Sequence, residues 1–383
     1  MIYLDHAATT PLDARVLDAM LPFLRGGFGN ASSVHRVGQE ARRAVDRARQ
    51  EVATLIGARA DEIIFTSGGT EADNLVVFGL TAAREDGRRH VVTSAIEHHA
   101  VLHAMQRLAA SGYELTIVAP GSDGRVEPAV LAAALRPDTA LCSVMLANNE
   151  IGTLQDISAM AEAAHAVGAL FHTDAVQAAG LVPVEVGELG VDALTLTGHK
   201  FYGPKGAGVL YLRRGTRISP TQVGGGHERG RRAGTENVAA IVGLGAAATL
   251  ALEEMGTRAD RIGALRDRLW EKVQEAPGAH RNGDPIRTLP GHLNVRFDGV
   301  DGEAVVLNLD LRGIAASMGS ACSSGSLEAS HVLLALGLSN EKARGGVRLT
   351  LGRETTEADV DAAAQALREI VERQRALSAA RTG

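Results

Sequence analysis

The chain has 383 residues, 45% of them hydrophobic and 22% charged, with a formal net charge of -6. These are ordinary globular values, so wholesale disorder is excluded, and the acidic balance gives no support to a nucleic-acid or membrane-surface role. Two cysteines, Cys142 and Cys322, cannot build a disulfide framework at this size, and no secretory signal follows Met1; both point to a reducing, cytoplasmic setting.

In chain order, apolar residues recur at helical spacing from Val37 to Ile56, with Arg and Glu between them, and the pattern stops at Gly57. The strand-like run Ile63-Ile64-Phe65-Thr66 follows, and then SGGTEADN. The alternation continues: strand-like HVVTSA, helical EHHAVLHAMQRLAA, strand-like ELTIVAP, helical PAVLAAALR, strand-like TALCSVMLAN, helical ISAMAEAAHAVGA. LFHTDAV, ALTLTGH and GAGVLYLRR are three further strands. GGGHERGRRAG, residues 224–234, reads as a mobile loop. The longest apolar run, Val238 to Leu252, is shorter than the roughly 20 residues a bilayer span needs. After a change near residues 253–260 come a charged helix (RIGALRDRLWEKVQEA), strand-like LNVRF and GIAAS, and a last helix from Thr356 to about Ala379.

Strands alternating with helices predict βαβ units and a mostly parallel sheet covered on both faces, an α/β fold. The expected division is a large domain over 15–255 and a smaller C-terminal α/β domain over 256–383, completed by residues 1–14. In such sheets ligands bind beyond the carboxyl ends of the strands.

Four groups stand at such ends. Ser67-Gly68-Gly69-Thr70-Glu71 precedes a helix, whose free N–H groups suit a phosphate, although Gly, Ser and Thr also make ordinary N-caps. Asp174 closes an apolar strand with Gln177 three residues on; it can face a cationic ring nitrogen or cap the next turn. Lys200, in TGHKFYGPKG, sits between a strand and a Gly/Pro turn, and a buried amine there can act as a nucleophile. Glu97-His98-His99 follows HVVTSA, where an imidazole can stack on a planar ligand or move protons. Neighbours at i,i+1 do not share a helix face and no set with metal-ligand spacing accompanies them, so no metal is expected. His103 and His165 fall within helical patterns and read as ordinary positions. Cys142 reads as a buried strand residue and Trp270 as helix packing. Together the four groups fit pyridoxal 5'-phosphate, which needs an amine, a carboxylate on its ring nitrogen, a stacked ring and a phosphate cup.

The motifs YLDHAATTP, FTSGGTEADN, NNEIGTLQDI, HTDAVQAAG, TGHKFYGPKGAGVLY, RAGTENVAAIVG, SMGSACSSGSLEASHVL and VRLTLGR run through nearly the whole chain. In this order they resemble the cysteine desulfurases of the NifS/IscS type, within the class V, fold-type I enzymes that use pyridoxal phosphate. The resemblance implies a large domain with a seven-stranded, mostly parallel sheet and a smaller domain carrying a catalytic cysteine loop. It assigns Lys200 to the Schiff-base linkage, Asp174 to the ring nitrogen, Gln177 to the ring oxygen, and His98 to stacking and proton transfer. Gly69, Thr70, Thr197 and His199 would hold the phosphate, joined by Thr235 from the second subunit of a homodimer. Asn149 and Arg348 would hold the substrate side, Arg348 on its carboxylate. Cys322 would take sulfur from L-cysteine as a persulfide, releasing L-alanine, and pass it to acceptor proteins such as an iron–sulfur scaffold, touching its cluster at most transiently. The competing readings are a selenocysteine lyase, a class V aminotransferase and a non-catalytic scaffold.

Overall fold

The computed structural model describes residues 1–318 and 329–382. The chain opens with β1 (Ile2–Tyr3), α1 (Ala14–Arg25) and α2 (Arg36–Leu55), and then builds the expected alternation. It runs β2 (Ile63–Thr66), α3 (Gly69–Ala82), β3 (His90–Ser94), α4 (His99–Ala109), β4 (Glu114–Val118), α5 (Pro128–Ala134), β5 (Thr139–Ser143), α6 (Ile157–Ala166) and β6 (Leu170–Asp174). α7 (Val186–Leu189), β7 (Ala193–Thr197) and β8 (Gly208–Leu212) close the unit. The seven strands lie in the order β2-β8-β7-β6-β5-β3-β4, and only β8 runs against the others.

Both faces of this sheet are apolar, and the side chains alternate between them as a pleat requires. Ile63 and Phe65 of β2, and Val209 and Tyr211 of β8, enter a core shared with α1, α2, α6 and the helix that follows β8. Ile64, Leu210 and Leu212 enter the opposite core, made with α3 and α4. The carboxyl ends of β2, β3, β5, β6 and β7 therefore share one edge, where the four sequence groups stand.

The apolar run from Val238 and the charged helix after Asp260 are one element, α8 (Val238–Val273), and not two. The change in composition near residue 255 marks a change of neighbours along a continuous helix. Its apolar first half, including Leu244, Ala247 and Ala251, packs into the first core; Ile262, Leu265, Leu269 and Val273 pack into another. By length and composition α8 could cross a bilayer, yet half of its most apolar stretch is buried in these cores.

Beyond α8 come β9 (Ala279–Asn282), β10 (His292–Phe297), α9 (Gly302–Asp310), β11 (Ile314–Ala315), β12 (Ser317–Met318), α10 (His331–Ala335), α11 (Asn340–Arg344), β13 (Val347–Thr350) and α12 (Glu357–Thr382). β12-β13-β10-β9 form an antiparallel sheet covered by α8, α9 and α12. β1 joins β11 in parallel, and Leu4 is buried in the same core.

The segment 224–234, read as mobile from its glycines, has a fixed anchor. Glu228 is buried and takes a two-pronged contact from Arg49 of α2 at 2.7 and 2.8 Å, and it also accepts the Phe65 N–H. Arg49 in turn lies over the Phe65 ring, 4.6 Å from its centroid. Glu228 and Arg229 have φ of 46° and 57°, conformations that non-glycine residues hold only where their surroundings dictate it. Removing the Glu228 carboxylate strands a buried guanidinium, so Glu228→Ala is expected to cost about 3–5 kcal/mol. Urea unfolding of the variant beside the double variant Arg49→Met/Glu228→Leu, which removes both charges and orphans neither, checks this: the double variant should lose less.

Candidate active site

At the carboxyl edge of the sheet lies a cavity of about 420 Å³ whose wall includes Lys200, Asp174, Gln177, His98, Asn149 and Arg348. Residues from eight separate stretches of the chain meet there: five leave the parallel strands β2, β3, β5, β6 and β7 at the same edge, and the N-terminal segment, α10 and β13 bring Ala7 and Ala8, His331 and Arg348 to it.

The Lys200 amine follows β7 in a single tight turn. Its Nζ donates to the carbonyls of Ala7 and Ala8, at 2.5 and 2.8 Å. Tyr202, two residues on, sits at φ 68°, and the strain is held by three contacts. Its N–H donates to Thr10 Oγ1, its carbonyl accepts from Asp13 N–H, and its hydroxyl accepts from Arg353 N–H.

Asp174 ends β6 with its carboxylate buried in the cavity wall, where Oδ1 accepts the Val176 N–H at 2.8 Å. The capping and the ligand readings of this residue thus coexist. Burial pushes its acid up to about 6, against the pull of the Val176 N–H and the Lys200 charge. Among the described residues no ion pair reaches this carboxylate. Gln177 donates to the Ala7 carbonyl at 2.9 Å.

His98 is the N-cap of α4, where Nδ1 accepts the Ala100 N–H at 3.2 Å. That bond leaves the proton of the neutral ring on Nε2. Burial first, and then the Lys200 charge, lower its pKa to about 4. His199 is lowered to about 4 for the same two reasons, and its Nδ1 lies 3.1 Å from Thr9 Oγ1.

The cavity continues into an open depression through Gly69, Thr70, Thr197 and His199. Gly69 is the first residue of the 14-residue helix α3, and a Cβ there would come within 2.9 Å of Val176 Cγ2. The Thr70 hydroxyl, an imidazole and a helix N-terminus converge on this end, a donor set for a phosphate, and beside them the Thr197 hydroxyl donates to the Ala207 carbonyl at 3.0 Å. Arg348, only 2% exposed, comes from β13 and donates to the Asn149 carbonyl at 3.1 Å and to Asp5 at 2.8 Å.

Thr235 is exposed and does not reach this cavity; its segment is tied down by Arg232, which donates to Glu71 of α3 at 2.7 Å. Cys322 lies outside the described residues. Ser317, five residues before it, is paired with Arg348 across β12 and β13. His331, nine residues after it, lines the cavity. Sequence reasoning assigned no role to Asp73, Glu150 or His331, all of which line the site. His103, read as ordinary, stacks on His99 with ring centroids 4.6 Å apart, and His165 lies 2.8 Å from Asp192. Cys142 is fully buried on β5, and Trp270 is half-buried against the third core, both as read.

Compared with known proteins, residues 2–363 match the family model described as "Aminotransferase class-V". A cysteine desulfurase IscS of Dictyoglomus turgidum is 48% identical over 378 residues, covering 98% of this chain and 96% of that protein. The chain belongs to the class-V aminotransferase family, among its cysteine desulfurases. A solved NifS-like protein superposes with a TM-score of 0.91 at 36% identity, covering 97% of this chain and 99% of that one. A structure titled "SspA in complex with cysteine" superposes at 0.82 with 34% identity, covering 93% and 100%. The α/β fold of the class-V family, and with it the pyridoxal phosphate cofactor, are those expected from the sequence. The cavity fits that cofactor on its own chemistry: a buried acid without an ion pair among the described residues, an amine within the same wall, and a helix N-terminus at Gly69, where a Cβ would meet Val176.

The low pKa of His98 has a measurable consequence. A histidine held at about 4 in the folded state and 6.5 when unfolded binds fewer protons folded, so its stability contribution is complete above pH 6.5 and is lost as pH falls towards 4. Nitrogen NMR of histidine-labelled protein should show the His98 ring neutral at pH 5.5, and His98→Gln should flatten the acid limb of the stability profile.

Proposed function

We propose that this chain is a cysteine desulfurase that uses pyridoxal phosphate to take sulfur from L-cysteine, leaving L-alanine and a persulfide on Cys322. The observation that carries the reading is the meeting, in one cavity, of an amine at Lys200, a buried acid at Asp174 and a guanidinium at Arg348. Gly69, Thr70, Thr197 and His199 would hold the phosphate, Asp174 the ring nitrogen, Gln177 the ring oxygen, and His98 the ring face. Bound there, the cofactor supplies an electron sink that loosens bonds at the substrate Cα.

The remaining work belongs to the protein. Arg348, with its long axis fixed by Asp5 and the Asn149 carbonyl, presents a planar fork to the substrate carboxylate, beside Asn149. Lys200 takes the proton from Cα, and the Ala7 and Ala8 carbonyls steady its amine before the substrate arrives. His98, with Nδ1 held by the Ala100 N–H, presents Nε2 at the ring face as its one site for a proton in transit, donating a hydrogen bond while neutral and giving up a proton only after taking one there. The Cys322 thiolate attacks the substrate sulfur; an S–S bond forms, the C–S bond breaks, and its electron pair stays on carbon, which is protonated to alanine. Ser317, five residues before Cys322 in the sequence, sits beside Arg348.

In this reading residues 15–255 form the cofactor-binding domain, and 1–14 with 256–383 a small domain carrying the Cys322 segment. Two chains assemble as a homodimer in which Thr235, exposed here, completes the partner's phosphate cup. The persulfide passes to sulfur-acceptor proteins such as an iron–sulfur scaffold, in the cytoplasm, with neither nucleic acid nor membrane involved.

Alanine release from cysteine by the purified, cofactor-loaded protein tests the reading. Cys322→Ser should abolish it while the bound cofactor stays yellow; unimpaired alanine production would overturn the sulfur route. Arg348→Lys loses the two-pronged contact, a charged hydrogen bond of about 1.5–3 kcal/mol, so KM for cysteine should rise about 10–100-fold with the cofactor still bound.

A further inference from the structure

Asp73 stands one helical turn after Gly69 and Thr70 on α3, lines the cavity and is 1% exposed, and its buried Oδ1 finds no hydrogen-bond partner among the described residues. Every other element around it contributes a group of its own. β6 brings Asp174 and, two residues earlier, His172, whose Nε2 lies 3.8 Å from Asp73 Oδ1. β7 brings the Thr195 hydroxyl, and the turn after β3 brings Glu97. His172 is fully buried between Ser143 Oγ at 2.8 Å and Thr195 Oγ1 at 3.1 Å. Ser143, His172 and Thr195 are thus joined in one buried row, with Asp73 against the Nε2 side of His172 and in the same cavity wall as Asp174.

Two carboxylates that share a buried wall do not both ionise, because each charge loses its hydration and repels the other. The partners decide which one keeps the charge. Asp174 has the Val176 N–H on its Oδ1 and feels the Lys200 ammonium. Among the described residues, Asp73 has the Thr195 hydroxyl to favour its charge, and its basic neighbour His172 is kept neutral by burial. Glu97 adds no cation; its acid is itself pushed up by burial.

We propose that Asp73 is a positioning residue for the ring-nitrogen carboxylate: it stays a neutral acid in the same wall as Asp174, so that a single negative charge of fixed orientation faces the ring. The inference rests on the cofactor reading above and deepens it. A second charge at this depth would compete with Asp174 for the ring proton. A missing side chain would let Asp174 turn or water enter behind it.

The test is Asp73→Asn, which copies a neutral acid in size and polarity, beside Asp73→Ala, which removes it. Two readouts are needed: the equilibrium affinity of the apoprotein for pyridoxal phosphate, and the pH midpoint of the bound cofactor's visible absorbance. We expect the Asn variant to stay within about twofold of wild type in affinity with an unchanged midpoint, and the Ala variant to bind about tenfold more weakly with its midpoint moved by about one pH unit. An Asn variant that shifts as far as Ala would mean that the charge at Asp73 is needed, and an Ala variant matching wild type would mean that the residue positions nothing; either overturns the inference. Infrared difference spectra of the apoproteins give an independent check on folded material: wild type minus Asp73→Asn should retain the C=O band of a protonated, desolvated carboxylic acid, and its absence overturns the inference too. A wild-type chain that takes up no cofactor at all would instead overturn the functional reading, with this inference falling alongside it.

Discussion

The structure depends on how the first thirteen residues are laid across the edge of the large sheet. Leu4 is buried in the C-terminal core, while the Ala7 carbonyl receives both Lys200 and Gln177. Thr10 receives the Tyr202 N–H and donates to the His199 carbonyl, and Asp13 caps α1 and takes a guanidinium from Arg353. One extended segment therefore fixes the lysine, the glutamine and the strained turn after the lysine, and ties all three to the sheet that carries Arg348. Thr350 of that sheet donates its N–H to the Leu4 carbonyl and accepts the Ala7 N–H on its hydroxyl. The two halves of the cavity are registered through the backbone groups of this one segment, met by the side chains of Lys200, Gln177 and Thr350.

Within that frame the cavity wall is a place of suppressed charge. Burial holds His98 and His199 neutral near pH 7, keeps His172 neutral beneath them, and raises Asp73, Glu97 and Asp174. These effects oppose one another in the pH dependence of folding. Histidines with lowered values destabilise the protein as pH falls below 6.5, whereas buried acids with raised values destabilise it as pH rises above their unfolded values. A site assembled this way carries its formal charges on few groups, chiefly Lys200 and Arg348, and leaves the others as neutral donors and acceptors.

The alternation of strands and helices was legible because each strand here is short, apolar on both faces and followed by polar loop residues, so period and punctuation agree. The four motif groups were legible for a related reason: loops at a sheet edge have no need of Lys, His-His or Asp unless something is bound there. What escaped the sequence was set by long-range packing. Nothing local distinguishes one helix of 36 residues from an apolar helix followed by a charged one, since the difference lies in which core each half meets. Asp73 read as one more polar residue in the first turns of α3; its spacing of three and four from Thr70 and Gly69 was the available signal. Glu228 was hidden in a run of glycines and arginines, and only Arg49, far away in the chain, gives it a reason to be buried.

α8 ties the cofactor-facing core to the C-terminal core without an intervening loop, and at about 1.5 Å per residue it is roughly 54 Å long. Midway along it, Gly256 and Gly263 have open space where a Cβ would stand, so packing does not require either to be glycine. Each weakens the helix by about 0.5–1 kcal/mol relative to alanine. The stiffness of this long strut is therefore lowest where it passes from one core to the next, and flexing of the small sheet against the large one would be borne by helical turns, with the chain direction preserved throughout.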